Sequence, residues 1–152
     1  MARGKNAFTL VELILIVIFL GILAAISVPR LGSAAILKQR ADCQARKIVT
    51  DLRRARTLAI SDAANNTSGF ALSMVGSAPY TAYEIINLDT AATVDSHTIN
   101  PEVSCTGGEN FGFGPLGNLL SGSDTELSVS APGKTFTITI ISATGMVRCV
   151  EN

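Results

Sequence analysis

Near the start of the chain, FTLVELILIVIFLGILAAISV (Phe8 to Val28) runs for 21 residues with a single charge, Glu12. As a helix it would be about 31 Å long, close to the roughly 30 Å of a bilayer's hydrocarbon core. A helix that is apolar on every side must be enclosed, by protein or by lipid. The carboxylate is the exception to explain, since an acid at the centre of a membrane helix costs about 2.5–3.5 kcal/mol. Acids kept in such segments usually have a partner or a task. Ahead of the run, MARGKNA is short, polar and basic through Arg3 and Lys5. By the positive-inside rule it stays in the cytoplasm and the rest of the chain is exported. A cleaved secretory signal is one alternative, with ILAAIS imitating a cleavage site, but such signals have apolar cores of about 7–15 residues and Glu12 interrupts this one. A plain uncleaved anchor is the other.

Pro29 should end or bend the helix. Helical patterning nevertheless resumes directly. Ala34, Leu37, Ala41, Ala45, Ile48, Leu52, Ala55 and Ala59 recur at steps of three or four, an apolar stripe flanked mostly by Lys, Arg, Gln and Asp. The pattern predicts one long helix from about Phe8 to Asp62, bent near Pro29, whose second half lays its stripe on another element. NNTSG (Asn65 to Gly69) then stops it with turn formers.

The remaining residues read as short β-prone runs separated by Gly, Pro, Asn, Asp and Ser: GFALSMV, YTAYEIINL, VDSHTI, FGF, ELSVS, KTFTITII and GMVRCV. In FTITIIS, Phe136, Ile138 and Ile140 should face one way and Thr137 and Thr139 the other. SATG (Ser142 to Gly145) should turn this strand into a closing hairpin with the last one. TGGEN and SGSD read as loops. The expected fold class is α+β, a helix covering an antiparallel sheet or sandwich.

Charge excludes some functions. The 12 Lys and Arg balance the 12 Asp and Glu, so nothing marks the whole chain for nucleic acid or an anionic membrane. Between Arg30 and Asp62, however, eight basic residues face three acids, and beyond Asp62 only Lys134 and Arg148 are basic. This pattern describes a solvated basic helix over an acidic globular part. Of the three cysteines, Cys105 and Cys149 share the strand-rich half while Cys43 lies in the helix. In an exported chain Cys105–Cys149 is therefore the preferred disulfide, with three free thiols as the alternative. His97 is the single histidine, and no zinc-ligand spacing exists. Asp95, Ser96 and His97 are consecutive, and strand neighbours alternate faces, so they do not form a catalytic triad. Asp124 and Glu126 could touch a calcium ion but lack a full set of oxygen ligands. With no nucleophile elbow or phosphate loop, we expect neither enzymatic activity nor a cofactor.

The N-terminal motif AFTLVE, followed by about twenty apolar residues, resembles the prepilin family: the type IV pilins and the pseudopilins of type II secretion. The resemblance implies a type IV pilin-like fold. Its parts are a leader (1–7), a transmembrane and filament-core helix (8–28), an amphipathic helix continuing into the globular part (29–64) and a periplasmic β-rich domain (65–152). It implies cleavage by the prepilin peptidase between Ala7 and Phe8, with Ala7 where the family usually has Gly, and N-methylation of the new Phe8 amine. It also implies that Glu12 pairs with the Phe8 amine of a neighbouring subunit during filament assembly, and that Gly21 and Pro29 loosen or bend the helix. A misaligned subunit would leave a charge unpaired, so the pair sets register more than it adds stability.

Three further stretches, DLRRARTLAISDA (Asp51 to Ala63), FGFGPLGNL (Phe111 to Leu119) and FTITIISATGMVRCV (Phe136 to Val150), resemble H-type minor pseudopilins and their minor-pilin relatives. The implied function is a structural subunit of a type II secretion pseudopilus or type IV pilus. It would be inserted once in the bacterial inner membrane, in contact with its lipid, and partnered by other pilin or pseudopilin subunits. A major pilin building surface fibres for adhesion or motility is one alternative. A DNA-uptake minor pilin is another. Some of these carry Gly-Arg-x-Arg in the last hairpin, where this chain has Gly145, Met146, Val147 and Arg148. Loss of the leader with Arg3 and Lys5 leaves ten basic against twelve acidic side chains, so counterion release on DNA would be small.

Overall fold

The computed structural model describes residues 9–27 and 33–152. It divides after Ile36 into two compact units. In the first, α1 (Leu10–Ser27) is an 18-residue helix. Its first backbone bond runs from the Leu13 amide to the Thr9 carbonyl at 3.2 Å, and the Glu12 amide donates to Thr9 Oγ1 at 3.3 Å. Thr9 is thus the N-cap and Glu12 the third helical residue, the Thr-x-x-Glu pattern of a capping box. Every large apolar side chain from Leu10 to Leu23 is exposed. Among the described residues no helix is long and apolar enough to cross a membrane. Phe8 and Val28, the two ends of the expected span, lie outside the described residues, as do Ala7 and Pro29.

The second unit, Leu37–Asn152, is α+β. Helix α2 (Ser33–Ser61) is rich in the strong helix formers Ala, Leu, Lys, Arg and Gln. Of the expected stripe, Ala41, Ala45, Ile48, Leu52, Ala55 and Ala59 are all fully buried, while Leu37 is half-buried. The helix ends at Ser61 and the chain turns through Asn66. The Asn66 side chain donates to the Gly69 carbonyl at 2.8 Å and accepts from the Gly69 amide at 2.7 Å, which locks the turn. Gly69 has φ 87°, and a Cβ there would lie 2.0 Å from the Phe113 carbonyl oxygen, so no other residue fits.

Eight strands follow: β1 (Phe70–Val75), β2 (Ala82–Asn87), β3 (Thr93–Thr98), β4 (Ser104–Gly107), β5 (Asn110–Phe113), β6 (Glu126–Ala131), β7 (Lys134–Ile141) and β8 (Met146–Glu151). They make two antiparallel four-stranded sheets, ordered β3-β2-β1-β5 and β4-β6-β7-β8. All seven expected strands are present. The eighth, β4, lies in Ser104–Gly107, so TGGEN is no long loop: its ends belong to β4 and β5, with Gly108 and Glu109 between. The α2 stripe packs into one core with Leu72, Tyr83, Phe111 and Phe113 of the first sheet and Leu127, Val129, Ile138 and Ile140 of the second. In β7, Phe136, Ile138 and Ile140 point into this core and Thr137 and Thr139 away, as their alternation requires. The closing hairpin forms as expected, with Ile141 opposite Met146.

Candidate functional site

Among the described residues, the start of α1 and the seam between α2 and the sheets carry charged side chains that burial alone does not explain. Glu12 sits in the first helical turn beside Thr9, Val11, Leu15, Ile16 and Phe19, where the helix dipole favours a negative charge. This gives the carboxylate a stabilising position that sequence reasoning missed, although Thr9 three residues ahead of Glu12 was the visible signal. The expected partner, the Phe8 amine, and the expected cut beside Ala7 lie outside the described residues. Gly21 lies within α1, and a Cβ there would meet nothing within 4 Å.

The second place is the seam between α2 and the sheets, where the excess of basic residues is used. Arg40 pairs with Glu102, Arg54 with Asp95 on β3, and Arg46 with Asp42 one turn back. Arg53 donates to the Val147 carbonyl on β8 at 3.3 Å, and Arg56 to the Gly117 carbonyl at 3.0 Å. A Cβ on Gly145 (φ 62°) would come within 2.0 Å of that same Gly117 oxygen, so the Gly of the closing turn lets the mid-domain loop and the hairpin meet. Arg53 and Arg54 tie the helix to both sheets, and Arg56 and Arg40 tie it to the loops between strands, so this basic face is bonded to the globular part where the sequence reading had it solvated.

At the centre of this seam Asp51 is almost completely buried. Its Oδ2 accepts the Tyr83 hydroxyl at 2.6 Å, and His97 Nε2 lies 3.6 Å from it and 3.4 Å from Asp95 Oδ2. The His97 and Tyr83 rings are tilted against each other at 5.4 Å. Burial, reinforced by the hydrogen bond to Asp51, pushes the Tyr83 phenol up so that it stays protonated and donates. The Arg54 hydrogen bond holds Asp95 below its ordinary value. Asp95 and His97 share a face of β3 while Ser96 points the other way and is exposed, so no Ser-His-Asp geometry arises. The group fastens α2 to the β2-β3 edge. Pattern reading did not join Asp51 to Tyr83, because their contact spans 32 positions of sequence.

The preferred disulfide is corrected. Cys43, Cys105 and Cys149 are all free. Cys105 on β4 and Cys149 on β8 occupy opposite edges of one sheet, with β6 and β7 between them. Three strand spacings amount to about 14 Å, twice the roughly 7 Å limit for bridging Cα atoms. Burial pushes the Cys105 thiol up to about 12. Asp124, weighed as a calcium ligand, accepts instead from the backbone amides of Glu109 and Asn110 at 2.7 and 3.0 Å. Among the described residues no three His, Cys, Asp or Glu side chains are grouped to hold a metal ion. Arg148 is exposed and lies opposite Thr139, which itself lies opposite Glu126.

Comparison with known proteins returns no match, whether to a protein family, to a curated protein or to a solved structure.

Proposed function

We propose that the chain is a prepilin-class subunit, most like an H-type minor pseudopilin of type II secretion or its type IV pilus relatives. In this reading the 21-residue apolar run from Phe8 to Val28, of which α1 is the described part, first spans the bacterial inner membrane and then enters the core of a filament. The β-rich unit works in the periplasm, and the subunit acts mechanically. The observation that carries the reading is α1 itself. It is apolar on every side, with one carboxylate held at its start, and it precedes a unit that closes its own core without it. A helix of this kind is incomplete until lipid or neighbouring helices surround it.

Cleavage between Ala7 and Phe8 would create an ammonium one turn from Glu12. Opposite charges brought together in a low-dielectric bundle align subunits, because any other register strands a charge. The decisive experiment is the mass of the N-terminal peptide from cells carrying a prepilin peptidase. Loss of residues 1–7 with one added methyl group is expected. A chain still beginning at Met1 in those cells would refute the proposal.

A further inference from the structure

Strand β8 is an outer strand of its sheet, and its hydrogen-bonding register determines which backbone groups are left over. The Asn152 amide donates to the Thr135 carbonyl at 2.9 Å, so this pair is a hydrogen-bonded one. Hydrogen-bonded and non-bonded pairs alternate along an antiparallel ladder. Thr137·Val150 and Thr139·Arg148 therefore exchange bonds, whereas Phe136·Glu151, Ile138·Cys149 and Ile140·Val147 do not. The N–H and C=O of Val147, Cys149 and Glu151 thus point away from β7. The Arg53 contact to the Val147 carbonyl agrees, since it reaches that oxygen from the open side.

A cavity of about 520 Å³ lies along this open edge, between β8 and α2. Val49 and Phe136 supply apolar lining, Thr50 a hydroxyl, and Arg46 and Arg53 positive charge. The two acids lining it are already matched: Asp42 by Arg46 at 3.0 Å and Glu151 by Lys134 at 3.2 Å. Arg53 has no carboxylate within ion-pair reach among the described residues and bonds only a neutral carbonyl. Proteins ordinarily protect an open sheet edge with a bulge, a proline or an inward charge. The β3 edge carries a bulge, since Ile85 and Ile86 of β2 pair with Asp95 and Thr93 and leave Val94 over, but the register of β8 is unbroken.

We propose that the groove between β8 and α2 is a strand-addition site, which takes an extended, acidic peptide segment of a partner protein as a fifth strand of the sheet. The incoming backbone bonds the open amide and carbonyl of Cys149. The residue opposite Cys149 shares its face, so an acid there is directed at Arg53. This inference does not depend on the prepilin reading.

The test is fluorescence polarisation of a labelled peptide of alternating Thr and Glu, about eight residues long, titrated with the full chain in detergent micelles at low salt. Two variants accompany it. Cys149→Pro deletes an N–H that the β7-β8 ladder does not use, and Arg53→Gln removes the charge. The wild type is expected to bind, with affinity about tenfold or more weaker in each variant. A Thr-Lys peptide should not bind. Failure of the wild type to bind, equal binding of the two peptides, or undiminished binding by either variant would overturn the proposal. If Cys149→Pro loses its cooperative thermal unfolding, Arg53→Gln decides alone. Dimerisation abolished by either variant, without peptide binding, would assign the edge to a second copy of the chain and likewise overturn it.

Discussion

On α1 the large apolar side chains from Leu10 to Leu23 keep between 49% and 76% of their surface exposed, whereas on α2 the residues of the stripe from Ala41 to Ala59 keep none. The two helices follow one another in the chain, and the α2 stripe belongs to the core of its own unit. α2 is amphipathic, and its apolar stripe meets the inner faces of two sheets while its arginines reach their rims. α1 has no polar face to turn to water, and under the proposed function lipid or neighbouring subunits enclose it. One helix stabilises the fold; under the proposed function the other serves assembly, and substitutions should separate the two roles.

The largest effect is expected from Glu12→Leu. It removes the one charge of α1, so membrane insertion should be retained or improved, and the thermal midpoint of the β-rich unit should not move. Filaments sedimented from cells and counted by electron microscopy should be lost or irregular. Normal filaments from this variant would remove the functional contrast between the helices.

The matching change in α2 is Leu52→Ala. Leu52 is fully buried in the core, and truncating such a residue typically costs about 2–5 kcal/mol. Urea unfolding should report that loss. So should the rate at which Cys105 reacts with a thiol reagent, because burial holds this thiol neutral with a pKa pushed up to about 12 until the core opens. A change in filament number at full β-unit stability would contradict the division of roles.

A smaller effect, about 1–3 kcal/mol, is expected from Tyr83→Phe, which leaves the buried Asp51 carboxylate without its hydroxyl donor. The double variant Tyr83→Phe, Asp51→Leu should recover part of the loss, since it also removes the charge left behind. Additivity of the two changes would show that the pair is not coupled.

The α2 stripe, the end of that helix at Ser61, one residue from the expected Asp62, seven of eight strands and the closing hairpin were all legible in the sequence, because each is a periodic pattern or a local turn signal. β4 was hidden because SCTG is short and holds a single core side chain, Cys105, too few residues to display alternation. Cysteine counting favoured Cys105–Cys149 because both lie among strands, but strand order decides distance, and pairing order is not a local property. The contacts of Asp51 with Tyr83 and of Arg54 with Asp95 were invisible for the same reason. At the start of α1, by contrast, Thr9 and Glu12 form a local Thr-x-x-Glu capping pattern that is visible in the sequence.

The smallest effect concerns the rim of the α2 seam. Arg54 holds Asp95 below its ordinary pKa of 3.8. A carboxyl depressed in the folded state stabilises the fold above its unfolded pKa, and that contribution disappears as pH falls through the folded value. Wild type should therefore exceed Arg54→Gln slightly in stability near neutral pH, and the difference should shrink as pH drops from about 5 to 2. Both groups are partly exposed and salt screens them, so the gap should also narrow in concentrated salt. Paired urea titrations across that range measure it. A gap that widened toward acid would mean that Arg54 acts through something other than Asp95, and the strap on this side of α2 would need another anchor.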